Sequence, residues 1–471
     1  MTTPTPPRSE AFQFDRPASD EFAETLRGEL VLPADRIFDH RRRIWNGSID
    51  RYPSLIARCA GAADVIAAVR FARRHSLLVA VRGGGHSFPG HSVCDGGMVI
   101  DLSPMKGIRV DPAARTVRAQ AGVLLGELDR EAQAFGLAVP AGVVTHTGVA
   151  GLTLGGGLGW LVRHFGLTID QLLSVDLITA EGEFVKASPA ENADLFWGVR
   201  GGGGNFGIVS EFEFRAHPVG PQVLAGGVFW PIEETPKVLR FYREWIADAP
   251  DDLMTAVGQR LARPLPSIPV DLVGKRLVGI LSCYSGSVED GERILRPLKR
   301  FGAPVLDLCV PKPFLVHQAS LDPMFRPGWW YYVRSCDVSG FSDSVIDVVA
   351  DHGQRINTEV SALTVWQMGG AVAHVGEDET AFNGRDAAFT FNITGGTEGR
   401  DGFEEQRAWA RDYWSALAPH HTGVYVNFLM EEGEERIRQA YGAAKYARLR
   451  TLKRKYDPEN FFRLNQNIAP L

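Results

Sequence analysis

Residues 77–87 read LLVAVRGGGHS. Five apolar residues in succession describe a strand buried on both faces, and three glycines end it in a loop with no side chain until His86. Upstream, SLIARCA (54–60) reads as a second strand. Between the two, GAADVIAAVRFARRH (61–75) reads as an amphipathic helix with Val65, Ile66, Val69 and Ala72 facing inward. The stretch from 54 to 87 is therefore a β-α-β unit that stops at a glycine loop.

Working outward, IRVDPAARTVRAQAG (108–122) has the form of a hairpin, and LLGELDREAQAFG (124–136) that of a helix. The densest glycine region, PAGVVTHTGVAGLTLGGGLGWL, follows at 140–161. Two strand-rich segments, LLSVDLITAEGEFVKAS (172–188) and NFGIVSEFEFRAHPV (205–219), close this lobe near residue 217. From about 220, apolar strands such as VLAGGVFW and RLVGILSCYSG alternate with helical stretches such as EETPKVLRFYREWIAD. That texture predicts a second α/β lobe, an antiparallel sheet covered by helices. The last helical stretch runs into DPEN (457–460), a turn and cap sequence. The fold class is α+β, and the N-terminal tail to about residue 20 is expected to lie loosely on the surface.

At 471 residues the chain is too long for one ordinary core, which also points to two lobes. It is 45% hydrophobic and 23% charged with a formal net charge of -6, and no basic block marks a nucleic-acid or anionic-membrane surface. The five cysteines, Cys59, Cys94, Cys283, Cys309 and Cys336, are scattered, without a CxxC pair, so neither a disulfide framework nor a metal site is expected. No leader pattern or long uncharged apolar run is visible, and the expected location is cytoplasmic.

Three glycine clusters carry the chemistry: RGGGHS (82–87), GLTLGGGLG (151–159) and RGGGGNFG (200–207). Backbone N–H groups in such runs can converge on phosphate oxygens, because no Cβ blocks the approach. Tight turns in a crowded sheet would also use glycines, but three runs in one lobe suggest a large phosphorylated ligand. Residues 202–207, GGGNFG, match GxGxxG by letter, yet the strand-like IVSEFEF follows where a dinucleotide-binding fingerprint requires a helix. The string GHSFPG is not GxSxG, so a hydrolase elbow is missing.

The strings VAVRGGGHSFPGHSVCDGGMVIDLS, TGVAGLTLGGGLGWL and DLFWGVRGGGGNFGIV, with YVNF and YDPENFFRLNQNI near the C-terminus, resemble the berberine-bridge-enzyme-like FAD-linked oxidases of the vanillyl-alcohol-oxidase (PCMH-type) fold, the bacterial branch most of all. The resemblance runs from about residue 40 to the end. It implies an FAD-binding domain over 1–217, a substrate-binding domain over 218–420, and a C-terminal segment over 421–471 that returns to the first lobe.

The resemblance further implies that His86 is bonded to the flavin 8α-methyl group. A second link, from a cysteine in many relatives, is excluded because Val144 stands there. Arg82, Gly83, Gly84, Gly85 and Ser87 are implied cofactor contacts. So are Thr147, Gly148, Gly151, Gly155, Gly156 and Gly157, with Gly207, Ile208 and Val209 near the adenine and Asn465 and Asn467 near the flavin ring. Thr147 aligns with a position facing the oxygen-reactive carbon, where a small side chain leaves room for O2. Phe428 replaces the tyrosine base of plant relatives, which leaves Tyr425, His374, Glu359, Tyr331 and Tyr332 as candidate bases. Trp366, Trp329 and Trp330 are candidate cavity walls. The expected activity is hydride removal from a small organic substrate with O2 as electron acceptor and hydrogen peroxide as product. The alternatives are a dehydrogenase with another acceptor and a flavin-binding protein with negligible turnover.

Overall fold

The computed structural model describes residues 16–430 and 432–471. Strand Leu55–Arg58, helix Ala62–Arg74 and strand Val79–Arg82 follow one another as the hydrophobic pattern predicts. Strand Met98–Asp101 lies between the two and parallel to both, and Glu29–Val31 pairs antiparallel at one edge. Alternate residues serve two cores. Leu55, Ala57, Met98 and Ile100 face the helix, while Val31, Ile56, Ala80 and Val99 pack on the opposite side. A sheet buried on both faces needs uninterrupted apolar runs, which is why these strands show no polar alternation.

Val65, Val69 and Ala72 of the helix are buried, and Ile66 is partly so. Of the tail expected to lie loosely to about residue 20, only residues 16–20 are described, and these are helical. Helix Arg16–Thr25 docks on this helix through Phe22, which stacks on Phe71 at 4.1 Å. Residues 1–15 lie outside the described residues.

The second sheet of this lobe is antiparallel. Its order is Ile108–Asp111, Thr116–Gln120, Ile208–Arg215, Leu172–Ile178, Phe184–Ala187. Phe212 and Phe214 point into the core, whereas Glu211 and Glu213 point out toward Arg118.

The other lobe is a large antiparallel sheet. From the edge strand Leu306–Asp307 it runs through Gln222–Pro231, Arg276–Tyr284, Leu253–Leu261, Ala362–Gln367, Phe389–Thr397 and Trp330–Val338 to His421–Gly423. Helices Thr235–Trp245, Asp343–Gly353 and Phe403–Ala416 cover one face and share a core with Leu363, Val365, Phe391 and Ile393. The alternate residues of those strands, among them Thr364, Trp366 and Asn392, face the first lobe.

The chain end returns to the first lobe. Leu449 and Leu452 of helix Ala443–Tyr456, then Phe462 and Ile468, complete its core. Asp457 caps the turn by accepting from the N–H groups of Phe461 and Phe462 and pairs with Lys453 at 2.6 Å; both side chains are fully buried. All five cysteines are buried. Among the described residues no helix is long and apolar enough to cross a membrane, and no cluster of three or more His, Cys, Asp or Glu could hold a metal.

Candidate active site

The three glycine clusters, spread over residues 82–207, border one cavity of about 350 Å³ between the lobes. Two of them touch. A Cβ on Gly84 would fall 2.4 Å from the Gly148 nitrogen, and one on Gly148 would fall 2.4 Å from the Gly84 nitrogen. Real Cβ atoms do not approach backbone so closely, so both positions require glycine. By contrast, a Cβ on Gly151 or Gly204 would meet nothing within 4 Å, and both residues line the cavity. Here bare backbone bounds the open space. The third loop is braced by the chain end: Asn205 donates to Gln466 O at 3.1 Å and accepts from the Ile468 N–H at 3.0 Å, while Lys453 Nζ donates to Asn205 O at 2.7 Å.

His86 emerges from the first loop into an aromatic sandwich edge. Its ring stacks on Trp45 at 4.0 Å and 22°, and Trp45 stacks in turn on Tyr331 at 4.0 Å and 13°. Trp45 is held by its N–H to Gly85 O at 3.0 Å and by its indole N–H to Phe325 O at 3.1 Å. The Nε2 of His86 is buried without a hydrogen-bond partner. Burial, and to a lesser extent the neighbouring His146, push His86 down to about 3, so the imidazole is neutral at physiological pH. Among the described residues no Asp, Glu, Lys or Arg lines the cavity.

The predicted residues divide clearly. Gly83, Gly84, Gly85, His86, Ser87, Thr147, Gly148, Gly151, Gly155, Gly207, Ile208, Val209, Asn465 and Tyr425 all line the cavity, as does Val144. Arg82 does not: its guanidinium is buried against Asp101 at 2.7 Å and donates to Arg41 O at 2.6 Å, so it supports the strand from behind. Gly156 and Gly157 shape the turn instead of bordering the space, with φ of +139° and +90°. A Cβ on Gly157 would also strike Thr168 Oγ1 at 2.0 Å. Asn467 is likewise outside the lining.

Among the candidate bases, His374 ends the short helix Ala371–His374 and is exposed to solvent, away from the lining. Glu359 pairs with Arg263 at 3.1 Å, the Tyr331 hydroxyl donates to Arg326 O at 2.8 Å, and the Tyr332 hydroxyl accepts from Arg411 at 3.0 Å; none of the three lines the cavity. Tyr425 does, but its hydroxyl oxygen accepts from the Gly157 N–H and the Asn427 amide, each at 2.8 Å, and burial pushes it up to about 12. A phenol so placed keeps its proton at neutral pH. Of the three tryptophans only Trp366 lines the cavity, edge-on to Trp160 at 5.4 Å. Trp329 lies under Arg263 and Arg326, and Trp330 packs on Phe403.

The sequence reading missed Trp45, Thr364 and Asn392. The last two are directly paired across neighbouring strands and line the cavity. Asn392 Oδ1 accepts from Thr394 Oγ1 at 2.8 Å, which directs the amide nitrogen's donors elsewhere. Their signal was a polar residue at alternate positions of two apolar strands, ALTVWQ and FTFNITGGT.

The chain is similar to known proteins along most of its length. A family described as "FAD binding domain" matches residues 53–188, and one described as "Berberine and berberine like" matches residues 424–469. An FAD-linked oxidoreductase of Dictyostelium discoideum is 31% identical over 96% of this chain and 97% of its own. The (R)-6-hydroxynicotine oxidase of Paenarthrobacter nicotinovorans is 31% identical over 95% and 97%. The crystal structure of 6-hydroxy-D-nicotine oxidase from Arthrobacter nicotinovorans superposes with a TM-score of 0.86 at 30% identity, covering 95% of this chain and 98% of that one. The cavity fits FAD on its own terms: crossed glycine loops, side-chain-free walls at Gly151 and Gly204, and a neutral histidine whose Nε2 has no partner. The chain is an FAD-dependent oxidoreductase and belongs to the berberine-bridge-enzyme-like family, with the PCMH-type fold of that family.

Proposed function

We propose that the chain is an oxidase that holds FAD through one covalent bond to His86 and removes a hydride from a small organic substrate, with O2 as the final acceptor. Bound in the cavity, FAD supplies the acceptor for the hydride and the route by which the electron pair reaches O2 as hydrogen peroxide. The observation that carries the reading is His86: a neutral imidazole with an unpartnered Nε2, fixed by stacking on Trp45 beside the crossed glycine loops. Neutrality keeps a nitrogen lone pair available as the nucleophile; the bond would form with loss of one methyl hydrogen and the imidazole N–H hydrogen, and the two electrons released would pass to the flavin and from it to O2. Val144 has no thiol, so a second bond at that position is impossible.

The other residues bind, orient and exclude. Backbone N–H groups of the glycine loops take the place of charged side chains in receiving phosphates, since no cationic side chain lines the cavity. Thr364 and Asn392 offer hydrogen bonds to a substrate lying against Trp366. Tyr425 holds its proton and acts as a hydrogen-bond donor to the substrate; a proton released from a substrate O–H or N–H passes to water. Thr147, small and half-buried at the wall, leaves room for O2. On this reading residues 1–217 and 421–471 hold the cofactor and 218–420 the substrate.

Acid precipitation of the purified protein tests the bond. The yellow colour is expected in the pellet, with a flavin-modified peptide containing His86, and colour confined to the supernatant would remove the covalent bond. A substrate that bleaches the flavin anaerobically should then release one peroxide per turnover in air. Bleaching without peroxide would replace the oxidase by a dehydrogenase.

A further inference from the structure

The face of the large sheet that borders the cavity continues past the Thr364–Asn392 pair. Gly258 stands opposite Thr364, and Arg260 stands opposite Ala362. By strand alternation Arg260 shares the face of Gly258 and Thr364, one step or about 7 Å further along. It is only half-buried, and its guanidinium makes no hydrogen bond or ion pair among the described residues.

Two more arginines surround it. Arg263 is buried, pairs with Glu359 at 3.1 Å and lies over Trp329 at 4.6 Å. Arg326 is exposed and lies over the same indole at 5.3 Å. All three act electrostatically on Tyr331, the outer ring of the His86–Trp45–Tyr331 stack. Trp45 and Tyr331 pack with Phe325 and Phe88, which line the cavity. Among the described residues Glu359 is the one carboxylate paired with this group. Burial and the neighbouring Arg263 push Arg260 down to about 10, which leaves it charged at neutral pH. Arg260 thus sits beside another cation with no counter-charge among the described residues, an arrangement that is destabilising until an anion completes it.

We propose that Arg260 is the anion-binding end of the substrate cavity, so that the substrate carries a carboxylate that pairs with Arg260 while its oxidised carbon lies toward Thr364 and Trp366. The inference rests on the oxidase reading and narrows its substrate class to organic acids. Arg263 is held by Glu359 and is not free to serve. Arg326, at the surface, adds positive charge to the same edge. Among the described residues the cavity has no charged lining, so the specificity for an acid comes from this one edge.

Calorimetric titration of the purified holoprotein with three acid–amide pairs tests this: benzoate and benzamide, phenylacetate and phenylacetamide, hexanoate and hexanamide. At least one acid should bind about tenfold more tightly than its amide. Arg260→Gln should abolish that preference at unchanged flavin content and melting temperature, and Arg260→Lys should keep part of it. The proposal is overturned if no acid outbinds its amide, or if the preference survives Arg260→Gln. Should Arg260→Gln fail to fold, the wild type decides. Acid binding must weaken as salt rises from about 0.02 to 0.5 M while amide binding stays level, and an indifferent response overturns the proposal. Heats of binding are read whatever the flavin linkage or the fate of O2, so this result and the acid-precipitation result can fail separately.

Discussion

His317 is 2% exposed, lies against Trp160 with ring centroids 4.5 Å apart, and has no hydrogen-bond partner on either ring nitrogen. Burial, aided by Lys312, pushes it down to about 3 from 6.5. Between those values the unfolded chain binds a proton that the folded chain refuses. Stability is therefore full above pH 6.5 and falls as pH drops toward 3, by about 2 kcal/mol at pH 5. In His317→Phe the drop in melting temperature between pH 7 and pH 5 should be smaller than in the wild type; an unchanged drop would mean that His317 is not held neutral. Histidines also mark how far single residues were legible. His86 could be placed because the RGGGHS motif that carries it resembles that of the family. His374 was assigned to the cavity from its neighbours in sequence, but it ends a four-residue helix that turns it to solvent. Arg82 adjoins the right loop, yet strand alternation sends its side chain to Asp101. Adjacency in sequence fixes where a backbone goes, and the pleat decides which side chains follow it.

At the level of elements, the glycines do two jobs that composition alone could not separate. Gly148 is required by the backbone of Gly84, whereas Gly151, three residues on in helix Val149–Leu154, has open space where its Cβ would be. Gly148→Ala should cripple folding, seen as loss of soluble protein. Gly151→Ala should fold at least as well, since alanine in a helix is favoured by about 1 kcal/mol over glycine, while its FAD content falls because the methyl enters the cavity. Equal flavin content in Gly151→Ala and wild type would place the cofactor elsewhere. The strands and helices around these loops were legible because uninterrupted apolar runs, strand alternation and the 3.6-residue period are local properties. Thr364 and Asn392 were not, because their meeting depends on the register between strands 28 residues apart, which no local pattern encodes.

Across the whole molecule, the lobe that begins the chain is finished by its last residues. Lys453 ties helix Ala443–Tyr456 to Asp457, to Phe462 O at 2.8 Å and to the glycine loop through Asn205 O. Lys453→Met would leave the Asp457 carboxylate buried without its counter-charge, a loss of about 3–5 kcal/mol. Melting temperature and FAD retention should fall together in that variant, and a melting loss with undiminished flavin retention would show that the loop stands without its brace. The return of the C-terminal segment was readable from YDPENFFRLNQNI, but the Asn205–Ile468 contact that gives it a purpose was not. That contact also sets an order of events during synthesis. While the ribosome still conceals residues 453–468, the loop at 203–205 lacks its support and part of the first core is missing. Cofactor loading should thus wait until residues 453–468 have folded back onto the loop, and a chain clipped before Lys453 is expected to keep most of the proposed FAD contacts yet remain colourless.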